Sequence, residues 1–187
     1  MYIKRILVIL FCCVSMFSHS QEWKKIFGDD ASANGRYVIE TYDKGYVFVG
    51  AYNNYKYGWL VKTDINGNVL WDKKFGNNYS AQIITNVEQT IDSGFIFCGS
   101  TSIIDPWNDA YIQKLNSCAE PEWCKILNPN IEDPDHGQRI KQLSDGSYLF
   151  LTRYLGTMDY DRIHLTKLDE YGNIIWQHAY SSGNWPV

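Results

Sequence analysis

Two groups of side chains have the chemistry to bind a ligand. The loop Glu132-Asp133-Pro134-Asp135-His136 gathers carboxylates, which are the oxygen ligands that calcium prefers. It lacks the regular ligand spacing of a calcium loop, so we interpret it as a solvated acidic loop. Glu132, Asp133 and Asp135 are weak metal candidates. The second group consists of six aromatic residues on the predicted loop-rich face, which also carries Asn and Asp: Tyr52, Tyr55, Tyr57, Trp107, Tyr154 and Tyr160. Such rings stack on sugars or anchor protein partners, and some also simply cover the ends of strands.

Recognisable catalytic motifs are missing from the sequence. His136, His164 and His178 have no serine or cysteine partner in a nucleophile motif. A glycine-rich phosphate loop is also missing. We therefore expect no cofactor and favour a non-catalytic protein.

The first twenty residues have the layout of a secretory signal peptide. Lys4 and Arg5 precede the apolar run Ile6–Val14, and small residues follow before a predicted cleavage between Ser20 and Gln21. The run is too short to anchor the chain by spanning a bilayer, and no later segment is long enough. We assign 1–20 to the signal peptide and 21–187 to a secreted or cell-surface protein without a transmembrane segment.

The charge of the mature chain argues against a nucleic-acid partner. Cleavage removes two basic residues and no acidic residue, which takes the formal net charge from -4 to -6. Nucleic-acid binding needs a basic face, and this composition does not provide one.

The mature region contains three copies of a unit of about fifty residues. The markers are Trp71, Trp123 and Trp176, preceded by an earlier Trp23, at intervals of 48, 52 and 53 residues. A lysine stands nine residues before each of the last three tryptophans, and an Asp/Gly cluster precedes each lysine. Several markers in one register indicate an internal repeat. Because the lysines and the aspartates recur in every copy, we interpret them as structural.

Each unit is predicted to form four short strands joined by Asp/Gly and Asn-Gly turns. Such units are typical of β-propeller blades, in which each small sheet buries its faces against its neighbours. We predict an all-β, propeller-type fold with four-stranded antiparallel blades, with a β-sandwich or solenoid as the alternative. The four tryptophans are assigned to the core. The predicted parts are an outer strand at 22–28 and blades at about 32–76, 80–128 and 135–181.

Three cysteines remain after cleavage of the signal peptide. Cys118 and Cys124 are close enough in sequence to form a disulfide across a hairpin, as secreted proteins permit. Cys98 lies in the apolar run Phe95–Cys98 and is predicted to be a buried thiol.

Two stretches of the first repeat resemble a known repeat type. Val61-Lys-Thr-Asp64-Ile-Asn-Gly67-Asn-Val-Leu-Trp71 and Glu40-Thr-Tyr-Asp43-Lys-Gly45-Tyr-Val-Phe-Val-Gly50 are similar to repeats of secreted bacterial and archaeal β-propellers, common in the Bacteroidetes. The end of the first stretch is also similar to the tryptophan-docking motif of quinoprotein-like propellers, where the acid-to-glycine spacing is one residue longer. The resemblance implies blades of a surface or secreted protein and implies no particular activity.

Three blades are fewer than the four to eight that close a propeller. We therefore expect an incomplete, open propeller that is a fragment of a longer protein, with open edges that pair with missing blades or self-associate. The preferred function is a non-catalytic module that binds carbohydrate or protein through its longer, varied loops. One alternative is a fragment of an extracellular glycosidase, lyase or quinoprotein-like enzyme, for which Glu40 and Glu88 offer thin support. Another is a structural spacer.

Overall fold

The all-β class predicted from the sequence is confirmed. The computed structural model describes residues 24–28, 32–76, 82–102, 109–127, 135–155 and 161–181. Within these ranges all regular secondary structure is β-strand. The strands are β1 (Ala33–Glu40), β2 (Tyr46–Tyr52), β3 (Tyr57–Thr63), β4 (Val69–Gly76), β5 (Gln82–Gln89), β6 (Phe95–Thr101), β7 (Asp109–Leu115), β8 (Pro121–Leu127), β9 (Asp135–Gln142), β10 (Tyr148–Leu155), β11 (Asp161–Leu168) and β12 (Ile174–Ser181).

The strands form three four-stranded antiparallel sheets in which sequence neighbours are also sheet neighbours. The first sheet contains β1 to β4, the second β5 to β8 and the third β9 to β12. Each first strand carries one extra residue at the same place, namely Arg36, Thr85 or Gln138. Such a bulge increases local twist, so the three sheets share the same distortion as well as the same order.

A lysine, buried in the first two sheets and half-buried in the third, holds the first tight turn of each sheet. In the first sheet, Lys62 Nζ donates to Asp43 Oδ1 at 2.9 Å, and the Gly45 amide donates to the same oxygen at 3.2 Å. The counterparts are Lys114 with Asp92 at 2.7 Å and Lys167 with Asp145 at 3.0 Å. The repeated lysine therefore joins the third strand of each sheet to the turn between its first two strands.

The core consists of two apolar layers, one between each pair of successive sheets. We call the face of a sheet that points toward the next sheet in the chain its back face, and the opposite face its front face. The first layer joins back-face residues such as Val49 and Leu60 to front-face residues such as Phe97. The second layer joins Ile96 and Ile112 to residues of the third sheet such as Phe150.

Aromatic contacts recur at both layers. Trp71 meets Phe95 with ring centroids 5.9 Å apart, and Trp123 meets Tyr148 at the same distance. Trp176 has the corresponding position on the back face of the third sheet, where it is half-buried beside His178 at 5.2 Å. Trp23 lies outside the described residues.

The first strands of successive sheets lie in contact, and those of the second and third sheets are also linked by polar contacts. Strand β5 contacts β1, and β9 contacts β5. Thr85 Oγ1 donates to the Gly137 carbonyl at 2.5 Å, and the Ile140 amide donates to Asn86 Oδ1 at 2.9 Å. These hydrogen bonds fix the second and third sheets relative to each other at their first strands.

A short N-terminal segment, residues 24–28, packs on the front face of the first sheet. Phe27 lies 4.7 Å from Phe48 between ring centroids, and Lys25 Nζ donates to Asn68 Oδ1 at 3.0 Å. In the next layer Phe75 of β4 contacts Phe97 at 4.8 Å. Because Phe27 stands four residues after Trp23 as Phe75 does after Trp71, the segment lies where the fourth strand of a preceding sheet would lie.

Candidate functional site

The connections between strands lie at two ends of the sheets. The tight turns, such as Thr41–Gly45 and Asp64–Asn68, form the turn end. The loop 53–56, which joins the second strand of the first sheet to the third, is at the opposite end, which we call the loop end. The sequence predicted binding at the loop end.

The loop between β2 and β3 has an unusual backbone. Asn53, Asn54 and Tyr55 have consecutive positive φ angles of 52°, 53° and 66°. Asparagine tolerates this left-handed region, whereas an aromatic residue does so at a steric cost of about 1–2 kcal/mol. Strained residues of this kind cluster at binding and active sites.

Hydrogen bonds from both sides hold this loop. Ser32 Oγ donates to Asn54 Oδ1 at 2.7 Å and accepts from the Asn54 amide at 2.8 Å. On the other side, the Gln82 amide donates to the Tyr55 carbonyl at 2.7 Å. The left-handed run is therefore fixed between the segment before β1 and the start of β5.

A cavity of about 230 Å³ opens beside this loop. It is lined by Ser32, Ala33, Asn34, Ala51, Asn54 and Tyr55. Tyr55 has 41% of its surface exposed, and Asn34 Nδ2 lies 3.5 Å from its hydroxyl. The cavity combines two side-chain amides, a hydroxyl and an accessible aromatic ring, which suits a ligand rich in hydroxyl groups.

The other predicted aromatic residues have less access or lie outside the described residues. Tyr52 is 8% exposed, and Lys74 Nζ lies 3.9 Å above its ring. Tyr154 is 5% exposed and stacks on His164 at 5.6 Å. Tyr57 is half-buried at the start of β3. Trp107 and Tyr160 are not among the described residues. Of the four described, Tyr55 is the most exposed, and Tyr52 lines a separate cavity of about 270 Å³ with Phe27 and Trp59.

The weak metal candidates are only partly described. Glu132 and Asp133 lie outside the described ranges, and Asp135 is 3% exposed at the start of β9. Within those ranges, no three His, Cys, Asp or Glu side chains converge closely enough to share a metal ion.

The carboxylates of the first strands are engaged with basic groups. Glu88 forms an ion pair with Lys141 and accepts from the Gln142 amide at 2.6 Å. Glu40 pairs with Lys44 at 3.1 Å. Both therefore have clear structural partners.

A cleft of about 550 Å³, which the sequence did not predict, lies at the turn end between the second and third sheets. Its lining residues come from separate hairpins and include Asp92, Lys114, Glu122, Trp123, Tyr148, Glu170 and Tyr171. Lys114, with 3% of its side chain exposed, pairs with both Asp92 at 2.7 Å and Glu122 at 2.9 Å. Burial, followed by the charges of Asp92, Glu122 and Glu170, raises the pKa of Tyr148 to about 12.

The chemistry of this cleft differs from that of the preceding sheet junction. At the junction between the first and second sheets, Leu70 takes the place of Glu122 and Ser117 takes the place of Glu170. The repeated tryptophans and lysines are the same at both junctions. The difference lies in residues that are not repeat markers, so the repeat pattern did not indicate it.

The three cysteines among the described residues are free thiols in the structure. Cys98 is fully buried, and burial raises the pKa of its thiol to about 12, so it is unreactive at neutral pH. Cys118 in the turn after β7 and Cys124 on β8 are exposed. A disulfide between them stays a prediction.

Comparison with known proteins gives this chain no family. No family model matches it, and no curated protein is significantly similar. Over the described ranges, the fold includes no helix of the length and apolarity needed to cross a membrane.

Proposed function

We propose that the chain is a secreted, non-catalytic β-propeller-type module that binds carbohydrate at its loop end. The observation that carries the ligand class is the cavity of Ser32, Asn34, Asn54 and Tyr55, where amides and a hydroxyl surround an accessible ring. Ring faces stack on the apolar faces of sugars, while amides exchange hydrogen bonds with their hydroxyl groups.

The propeller-type arrangement is supported by the way in which the sheets follow each other. Their first strands contact one another in the order β1, β5, β9, and equivalent aromatic residues fill each layer between sheets. In such an arrangement the loop ends of all sheets lie on one side and form a common surface. Secretion is supported by the signal-peptide layout of residues 1–20.

Rigidity of the loop supports a binding role. A ligand that meets a loop already fixed by Ser32 and Gln82 does not have to order it, which reduces the entropic cost of binding. The hydrogen bonds to Ser32 and Gln82 maintain the strained backbone of Tyr55, whose side chain lines the cavity.

The test is a glycan array probed with the mature protein, followed by calorimetry on any glycan that binds. We expect Tyr55→Ala and Asn54→Ala to weaken binding by about tenfold or more, which corresponds to about 1.4 kcal/mol. The matched control is Tyr42→Ala, which removes a tyrosine that is 64% exposed at the turn end of the same sheet. Circular dichroism and the thermal midpoint show that each variant is folded.

Two results would contradict the proposal. If the wild-type protein binds no glycan but captures a protein through Tyr55, the loop end is a protein-binding surface. If Tyr55→Ala and Tyr42→Ala behave alike with every ligand, the loop end has no binding role and the spacer interpretation is favoured.

A further inference from the structure

The back face of the third sheet exposes apolar residues that the other two sheets bury. Ile163 is 48% exposed, whereas Ala110, at the same place in the second sheet, is 0% exposed. Leu165 is half-buried, whereas Leu60 and Ile112 are 0% exposed. On the first two sheets, this face is covered by the front face of the next sheet.

The front face of the first sheet likewise exposes apolar residues that are buried on the front faces of the other two sheets. Val38 is 59% exposed, whereas Val87 in the second sheet is 1% exposed. Phe48 is half-buried, whereas Phe97 and Phe150 are 0% exposed. Strand β1 is exposed along most of its length, whereas β5 and β9 are largely buried or half-buried.

We propose that the back face of the third sheet binds the front face of the first sheet of a second copy. Within the chain, the back faces of the first and second sheets are each covered by the front face of the following sheet. The front face of the first sheet carries apolar and aromatic residues like those of the other two front faces. In this contact Tyr180 takes the role of Phe75, which lies 4.8 Å from Phe97, and meets Phe48 of the second copy. Trp176 meets Tyr46 of the second copy, as Trp71 meets Phe95 at 5.9 Å.

Two copies related by a two-fold axis make this contact twice. Each copy then offers one back face and one front face, so both open faces of both copies are covered. Head-to-tail contacts that close in this way form a dimer rather than a growing fibre. The contact does not involve the loop end, so its failure and that of carbohydrate binding can be distinguished.

The N-terminal segment competes with this contact. Phe27 lies on Phe48, the place that Tyr180 of the second copy would occupy. The described contacts of the segment include the Phe27 ring on Phe48 and the Lys25 hydrogen bond to exposed Asn68, and four of its five residues are exposed. Ile26, between them, is 84% exposed. The segment therefore covers the front face weakly, and dimerisation displaces it.

The test is sedimentation velocity of the mature, reduced protein over a concentration series. We expect a reversible monomer–dimer equilibrium in the wild-type protein. Ile163→Glu and Val38→Glu each place a carboxylate in both contacts, which we expect to weaken dimerisation by about 100-fold. Both positions are exposed in the monomer, so these variants should fold. Ile91→Glu, at a position 63% exposed at the turn end, is the matched control and should dimerise like the wild type.

A mixing experiment identifies the faces involved. In a mixture of the two variants, the unaltered back face of Val38→Glu can bind the unaltered front face of Ile163→Glu. We therefore expect heterodimers at concentrations at which each variant alone is monomeric. Phe27→Ala should strengthen dimerisation by about tenfold, since it frees Phe48.

A monomeric wild-type protein at all concentrations would overturn the proposal and leave a further sheet or another protein as the occupant. Dimers that persist in both charged variants would overturn it too, and so would assemblies that lengthen without closing.

Discussion

Turn residues at equivalent places show what their side chains contribute. Gly67, Ala119 and Gly172 occupy the same turn in the three sheets, with φ of 74°, 59° and 80°. Ala119 shows that this turn can hold a Cβ in the second sheet. In the third sheet the Trp123 ring lies over Gly172, and a Cβ there would come within 2.9 Å of it. The glycine is therefore required by the tryptophan of the preceding sheet as well as by its own φ.

We expect Gly172→Ala to destabilise the protein by about 2–3 kcal/mol, through the clash with Trp123 as well as the backbone strain. Gly146→Ala is the matched control. Its φ is 85°, but a Cβ would meet no atom within 4 Å, so only the strain remains, about 1 kcal/mol. Urea unfolding of the two variants measures the difference. Equal losses would mean that the Trp123 ring moves away at no cost.

The aspartates of the first turns predict how stability depends on pH. Hydrogen bonds from Thr41 and Lys62 lower the pKa of Asp43 to about 2, and those from Ser147 and Lys167 do the same for Asp145. A carboxylate with a lowered pKa stabilises the fold above its unfolded value of about 3.8 and loses that contribution as pH falls through its folded value. We therefore expect the thermal midpoint to decline between about pH 4 and pH 2.

The variant that checks this prediction is Asp43→Asn. It removes one of the carboxylates, so it should be less stable than the wild type at neutral pH and should lose less on acidification. Identical pH profiles for the two proteins would show that the turn aspartate contributes nothing to the acid transition.

At the scale of sheets, three phenylalanines at equivalent positions report how much the contact between neighbouring sheets contributes to stability. Phe97 and Phe150 are 0% exposed between sheets, whereas Phe48 is half-buried under the N-terminal segment. We expect Phe97→Ala and Phe150→Ala to cost about 3–5 kcal/mol each, and Phe48→Ala to cost less. Chemical denaturation at low protein concentration measures all three. A cost for Phe48→Ala equal to the others would mean that the segment covers the first sheet as fully as a sheet would.

The sequence predicted the elements better than it predicted the site. Four strands per repeat could be read because turn residues and apolar runs are local signals. The structural role of the repeated lysines was also predicted, but their ion-pair partners are Asp43, Asp92 and Asp145 in the first turns. Pairing of that kind depends on strand register, which the sequence alone did not specify.

Two features of the candidate sites depend on more than local sequence. The left-handed run at Asn53–Tyr55 follows from hydrogen bonds to Ser32 and Gln82, which come from outside the loop. The two adjacent asparagines were the only local signal for it. The burial of Tyr52 and Tyr154 reflects packing by neighbouring strands, so aromatic composition overestimated how many rings are accessible.

Across the whole chain, protection should decrease from the middle sheet outward. Strand β6 is buried at every residue and β7 at all but one, because the first and third sheets cover the two faces of the middle sheet. Strands β1 and β12 lie on sheets that have one open face, and most of their described side chains are exposed. In a repeat architecture, stability is a sum over units and their interfaces, so units with one neighbour open more easily than the unit with two.

We therefore expect hydrogen exchange, followed by mass spectrometry, to be slowest in β6 and β7 and fastest in β1 and β12 at low concentration. Raising the concentration should slow exchange in β12 and β1 together if copies associate through the two open faces, and should leave the turn-end peptide around Ile91 unchanged. Equal exchange in all three sheets would show that the chain opens as one cooperative unit, in which the interfaces between sheets are as strong as the sheets themselves.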